Sequence, residues 1–114
     1  MEEDAEKLTM EYQKVQSRMQ ALAIQKAQLA AEKEEYKKAL EEVEKSTGKV
    51  YTSRGNAMIE TTKEESIKAI KEEQDSVDLK ISIVDKQYND TSKKEQELRE
   101  RINAIIKEQE GQAQ

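Results

Sequence analysis

The stretch KVYTSRGNAMIETT, residues 49–62, lies near the middle of the 114-residue chain and differs from the sequence around it. Both flanks are rich in Glu, Lys, Gln, Ala and Leu, which favour helix, and the chain contains no Pro. The stretch itself has two short apolar runs, Val50-Tyr51 and Met58-Ile59, on either side of Arg-Gly-Asn. It therefore predicts two β-strands between two helices.

The two strands are predicted to form a β-hairpin. With Arg54-Gly55 at the loop centre, the opposed pairs are Lys49 with Glu60, Val50 with Ile59, Tyr51 with Met58 and Thr52 with Ala57. Arg is a poor residue for positive φ, so the loop type stays open. Apolar side chains then lie on both faces, and an isolated two-stranded hairpin is marginal in water. We therefore expect other subunits to complete this hairpin, edge to edge, through Val50, Tyr51, Met58 and Ile59.

The composition excludes an ordinary compact core. Only 34% of the residues are hydrophobic, 39% are charged, and Trp and Phe are absent. Such a chain is either disordered or a long helix with a narrow apolar seam, and periodicity decides between the two.

Charge and hydropathy indicate the protein class. The net charge is −5 with both signs spread along the chain, which argues against a nucleic-acid surface. No apolar run approaches a membrane span, the first residues lack signal-peptide features, and there is no Cys. We expect a soluble cytoplasmic protein.

Both flanks carry a heptad pattern. Steps of three and four residues meet apolar side chains at most positions of two series: 5, 8, 12, 15, 19, 22, 26, 29, 33, 36, 40, 43 and 67, 70, 74, 77, 81, 84, 88, 91, 95, 98, 102, 105. Off this seam, large apolar residues are few, so the pattern favours a two-helix coiled coil over a broad amphipathic stripe. The two flanks have matching lengths, so we expect them to fold back on each other as an antiparallel hairpin.

The polar seam residues test one antiparallel register. Pairing Val43 with Ile67 and Ala5 with Ile105 places Lys26 opposite Val84 and Lys33 opposite Val77. No layer then has two polar partners. Each Lys is expected to lay its stem on the apolar neighbour and extend its ammonium to water.

Residues suited to helix ends set the expected boundaries. Gly48 suits a left-handed position after the first helix, Thr62 and Glu65 have capping-box spacing, and Gly111 is expected to close the second helix. The prediction is mainly α: one domain, 1–114, with a helix at about 3–47, a hairpin at about 49–61 and a helix at about 63–110.

The central residues carry a family resemblance. VYTSRGNAMIETTKEE, residues 50–65, followed by heptads, resembles the beta-class subunit of prefoldin, most closely the archaeal form. The matching positions are Val50-Tyr51, Gly55-Asn56, Met58-Ile59 and Thr62-Lys63-Glu64, and KKALEEVEK, residues 37–45, is similar to the end of the family's first helix. The chain has one predicted hairpin and not two, and in this it resembles the beta class of the family and not the alpha class. Arg54 and Ala57 depart from the family pattern.

The resemblance implies a subunit of a hexameric, ATP-independent chaperone without a cofactor. In that family two alpha-class and four beta-class subunits assemble, capture unfolded proteins at the coiled-coil ends and pass them to a group II chaperonin. At the end of the coiled coil formed by the chain termini every seam layer is apolar, and terminal turns fray. The expected client-binding residues are Leu8, Met10, Ile102, Ile105 and Ile106.

Catalysis is not expected, and other functions are weighed against the chaperone. The chain has no His or Cys and no Gly-rich phosphate loop. A helical arm for RNA would need a basic face. The alternative that stays open is a structural coiled-coil tether or scaffold without client binding.

Overall fold

The computed structural model describes residues 2–112, which form two long helices joined by an antiparallel β-hairpin. Helix α1 spans Glu2–Lys45, strand β1 Val50–Arg54, strand β2 Ala57–Thr61 and helix α2 Lys63–Gln112. The predicted fold class is confirmed. Contacts divide the chain into two compact units: residues 1–26 with 84–114, called the terminal unit, and residues 27–83, called the hairpin unit. The single-domain assignment stays a prediction.

The core of the terminal unit lies on the predicted seam. Leu8, Val15 and Leu98 form a buried cluster, against which four partly buried seam residues pack: Tyr12, Met19, Ile102 and Ile105. Leu22 is fully buried, with 0% of its surface exposed, and its burial contributes about 1.5–3 kcal/mol.

The hairpin unit repeats this pattern. Leu29 and Val77 are its buried apolar residues, and the other apolar seam positions of the unit are partly buried. In α1 the buried residues recur every seven positions at Leu8, Val15, Leu22 and Leu29, which is one seam position of the heptad. The burial is therefore narrow, as two packed helices require.

The end of α1 differs from the prediction. The helix ends at Lys45, and Ser46 N donates a hydrogen bond of 3.1 Å to the Val43 carbonyl. Gly48 does not have a positive φ, so the expected left-handed glycine cap is wrong. A side chain of α2 instead reaches one carbonyl of the last turn of α1 and one just after the helix: Lys63 Nζ lies 2.7 Å from the Glu44 carbonyl oxygen and 3.3 Å from that of Ser46.

The start of α2 follows the prediction in part. Glu65 N donates to Thr62 Oγ1 at 3.0 Å, the first half of a capping box. The Glu65 carboxylate, however, accepts the hydroxyl hydrogen bond of Thr61 at 3.0 Å. Gly111 lies inside α2 and does not end it, so that prediction is wrong. Residues 113–114 of the expected fraying end lie outside the described residues.

Candidate functional site

The strand register of the hairpin differs from the prediction by two residues. Thr52 lies opposite Ile59, Ser53 opposite Met58 and Tyr51 opposite Glu60. The predicted opposed pairs were therefore wrong. Because a shift of two residues preserves the alternation of a strand, the faces are unchanged. Val50 and Ile59 share one face, and Tyr51 and Met58 share the other.

The turn explains the shift. Arg54 pairs with Ala57, so the loop contains only Gly55 and Asn56. Gly55 has φ 59°, and no other residue among 2–112 has a positive φ. Positive φ at the first central position alone is the pattern of a type II′ turn, which matches the twist of the strands. The Gly-Asn dipeptide was the signal that could have given this register.

Both hairpin faces expose apolar groups. The exposed fractions are 49% for Tyr51, 67% for Met58 and 50% for Ile59, while Val50 is partly buried. The β1–β2 sheet has two strands, so the outer edge of each is unpaired. The hairpin set, Val50, Tyr51, Met58 and Ile59, thus combines apolar side chains with free backbone donors and acceptors.

The expected client-binding residues are only partly brought together. Leu8 is buried, and Ile102 and Ile105 pack partly buried against its cluster. Ile106 follows Ile105 and is 46% exposed, while Met10 is 59% exposed. Met10 is two residues from Leu8, or about 200° around the helix, so it lies on the outer side. The five residues, called the terminal set, therefore do not form one continuous surface.

A shallow groove lies beside the terminal set within the terminal unit. Leu8, Ala104 and Ile105 supply its apolar part, and four charged side chains complete its lining: Asp4, Lys7, Glu11 and Arg101. Because two acidic and two basic side chains line the groove together with apolar carbons, the groove suits amphipathic segments better than a ligand of one charge.

The seam lysines have partners that the sequence analysis missed. Lys26 Nζ lies 2.7 Å from Asp85 Oδ1, and Lys33 Nζ lies 2.7 Å from an oxygen of Asp78. Each Asp directly follows the Val predicted opposite that Lys, so a spacing of seven residues on both helices was the available signal. The Asp85 Oδ1 atom is buried, and the Lys26 ammonium at 2.7 Å supplies its neutralising charge. The hydrogen bond to Asp85 also raises the pKa of Lys26.

Replacing both seam lysines should stabilise the fold. In an Asp85→Ala background, which leaves no buried carboxylate oxygen without its counter-charge, we expect Lys26→Leu with Lys33→Leu to raise the free energy of unfolding by about 1–2 kcal/mol, because a polar seam residue reduces stability and exposed ion pairs contribute little. Urea unfolding would measure the change. The control Lys14→Leu, at an exposed position off the seam, should leave stability unchanged. A loss of stability on adding the two lysine replacements to Asp85→Ala would contradict this.

Two tyrosines connect the helices through carboxylates. Tyr12 donates a 2.8 Å hydrogen bond to Glu95, which raises the pKa of Tyr12. Burial, and then the hydrogen bond to Glu32, raises the pKa of Tyr36, whose hydroxyl also lies 3.4 Å from Glu73. A raised tyrosine pKa favours the neutral phenol in the folded state. These contacts therefore stabilise at neutral pH, and their contribution is lost only as the pH rises above about 10.

The sequence comparison decides the family. The family description "Prefoldin subunit" matches residues 6–109, nearly the whole chain. The chain belongs to the prefoldin subunit family. A search of curated proteins found no match. The prefoldin family is one of chaperone subunits and not of enzymes.

A solved structure shares the fold of this chain. The prefoldin beta subunit from Thermococcus strain KS-1 is 24% identical, with a TM-score of 0.84 over 90% of this chain and 91% of that chain. The prefoldin beta2 subunit from the same strain is 21% identical, with a TM-score of 0.43 over 91% of this chain and 99% of that one. The first of these similarities shows the fold of a prefoldin subunit.

Among residues 2–112, no group of His, Cys, Asp and Glu could hold a metal ion. None of the helices described there is apolar over a length that would cross a membrane. The candidate surfaces are the hairpin set and the terminal set with its groove.

Proposed function

We propose that the chain is a beta-class prefoldin subunit, which assembles with alpha-class subunits and further copies of itself into a hexamer of two alpha and four beta chains. The complex captures unfolded proteins and passes them to a group II chaperonin, without ATP or a cofactor, in the cytoplasm. The single hairpin supports the beta class. The hairpin set is the assembly surface, and the terminal set is the client surface.

The exposed hairpin is the observation that carries the proposal. Three large apolar side chains are about half exposed or more, and they lie on both faces of a sheet of two strands. Two strands alone are marginal in water. Pairing of each free edge with a strand of another subunit satisfies the backbone, and packing of another subunit against the faces covers Tyr51, Met58 and Ile59. Assembly through this surface is therefore favourable on two independent grounds.

The terminal unit supports client binding less directly. Leu8, Ile102 and Ile105 are packed in the folded state, and Ile106 is exposed beside them. Opening of the last helical turns would expose the packed residues to an unfolded chain. Burial of apolar surface is non-directional, so these residues could bind many different apolar segments. Several subunits acting together add avidity, so each contact stays weak and releasable.

The mass of the assembled protein tests the proposal against a tether or scaffold. The chain is mixed with an alpha-class prefoldin subunit and measured by native mass spectrometry, beside the chain alone. We expect a discrete species of two alpha and four beta chains. A mixture that contains only free subunits would overturn the proposal and favour the tether. A discrete complex of another composition would reject the hexamer.

A further inference from the structure

Lys63 occupies a position where a positive charge is unfavourable. Thr62 caps α2, so Lys63 is the first residue of that helix, followed by Glu64 and Glu65. The N-terminal end of a helix carries partial positive charge, which favours the two glutamates and disfavours a lysine. Because the positive charge of Lys63 is unfavourable at the start of α2, we look for its role outside that helix.

The partner of Lys63 is the other helix. Its ammonium donates to the carbonyls of Glu44, at 2.7 Å, and Ser46, at 3.3 Å. The last carbonyls of a helix lack intrahelical donors and carry partial negative charge. Gly48 does not supply a left-handed cap. Lys63, which is 19 residues after Glu44 in the chain, donates to these carbonyls instead.

These two hydrogen bonds close a loop that contains the whole hairpin. Strands β1 and β2, from Val50 to Thr61, lie between the two points that Lys63 joins. We propose that Lys63 is the positioning residue of the hairpin: its ammonium ties the start of α2 to the end of α1 and so fixes the direction in which the hairpin leaves the helices. The proposal rests on the proposed function only where it concerns assembly.

The consequence for assembly is preorganisation. A subunit whose hairpin is held in one direction loses less conformational freedom when its strand edges pair with another chain. Without the ammonium, residues 47–49 lose this restraint, and the hairpin set can face in more directions. Lys63 thus acts on assembly without contacting the partner.

The first test measures the hairpin in the full chain alone. Lys63→Met keeps the stem and the helix propensity but removes the charge. We expect amide hydrogen exchange in residues 46–61 to become about fivefold faster, because the two hydrogen bonds come from one exposed ammonium group and together contribute about as much as one ordinary hydrogen bond. Exchange around Leu22 should be unchanged. Lys63→Arg, which keeps a cationic donor, should restore most of the protection, and Lys68→Met, an exposed lysine of the same helix, should change nothing.

The second test measures assembly with an alpha-class subunit at a temperature where every variant is folded. We expect Lys63→Met to weaken assembly about fivefold. Val15→Ala destabilises the terminal unit without contacting the hairpin and should assemble normally. Equal loss of assembly in Val15→Ala would overturn the proposal, because Lys63 would then act through stability alone. Unchanged exchange in Lys63→Met, or failure of Lys63→Arg to restore protection, would also overturn it. If the unaltered chain does not assemble, the proposed function fails, and the exchange measurement still decides the role of Lys63.

Discussion

Two negative charges on the hairpin are expected to abolish assembly while leaving the helices intact. The variant combines Tyr51→Glu with Ile59→Glu, one on each face of the hairpin. Moving an unpaired carboxylate out of water costs several kcal/mol, so the assembly constant should fall by more than about 1,000-fold, or about 4 kcal/mol. Both residues are about half exposed in the single chain, so the folded subunit tolerates the change. Native mass should show subunits only, and circular dichroism should show unchanged helix content.

A matched control separates the hairpin from a general effect of charge. Ile24 and Leu79 are 60% and 64% exposed on the helices, outside the hairpin. The variant Ile24→Glu with Leu79→Glu adds the same charge and removes similar apolar surface, and it should assemble like the unaltered chain. A full complex in the hairpin variant would reject the hairpin as the assembly surface.

The heptad pattern predicted the helices and their core, because burial between two packed helices follows local periodicity. All seven buried apolar residues of the described part lie on the predicted seam: Leu8, Val15, Leu22, Leu29, Val77, Val84 and Leu98. The off-seam residues Ile24 and Leu79 are exposed, as a narrow seam requires. A period that repeats over many turns leaves little freedom in this assignment.

What the sequence analysis missed depends on single residues and on contacts between distant ones. The turn was centred on Arg54-Gly55 although Gly55-Asn56 makes a two-residue loop, and one dipeptide therefore shifted every opposed pair. Gly48 suits a left-handed cap by its own preference, but a lysine on the other helix supplies the donors. Local propensity does not carry information about that distant partner.

The site residues were predictable to different degrees. Apolar alternation placed Tyr51 and Met58 on one hairpin face, and the structure agrees despite the altered register. The terminal set was predicted on the assumption that the helices separate at the end formed by the chain termini. In the folded state Leu8 is buried and Met10 lies on the outer side, so only an opened end would present Leu8 to a client.

Removal of the apolar side chains at the terminal end is expected to abolish most client protection. The variant Leu8→Ser with Ile102→Ser and Ile105→Ser removes the three members of the terminal set that pack together. We expect the complex to need roughly tenfold more protein to suppress the aggregation of a denatured test protein, which corresponds to about 1.4 kcal/mol of lost binding free energy. Light scattering measures the suppression, and native mass verifies that the complex persists.

The rival explanation is that this apolar cluster only holds the terminal unit together. Leu8 is 8% exposed, so its replacement by Ser weakens the packing as well as the proposed client surface. Ile106→Ser separates the two effects, because Ile106 is 46% exposed and its removal leaves the cluster in place. A client surface predicts partial loss of protection in Ile106→Ser, with an unchanged unfolding temperature. A purely structural cluster predicts full protection in that variant.

A second control compares the terminal set with equally apolar surface elsewhere. Ile24, Leu79 and Ile83 are 60%, 64% and 50% exposed, so they are more accessible than Leu8, Ile102 and Ile105, which are buried or partly buried. If clients bound any exposed apolar group, replacement of these three by Ser would reduce protection more than the terminal variant does. We expect the reverse, because the terminal residues adjoin a groove that Leu8 and Ile105 share with charged side chains, whereas the other three lie on the outer helix surfaces. Full protection by an intact complex of the terminal variant would reject the terminal set as the place where clients bind.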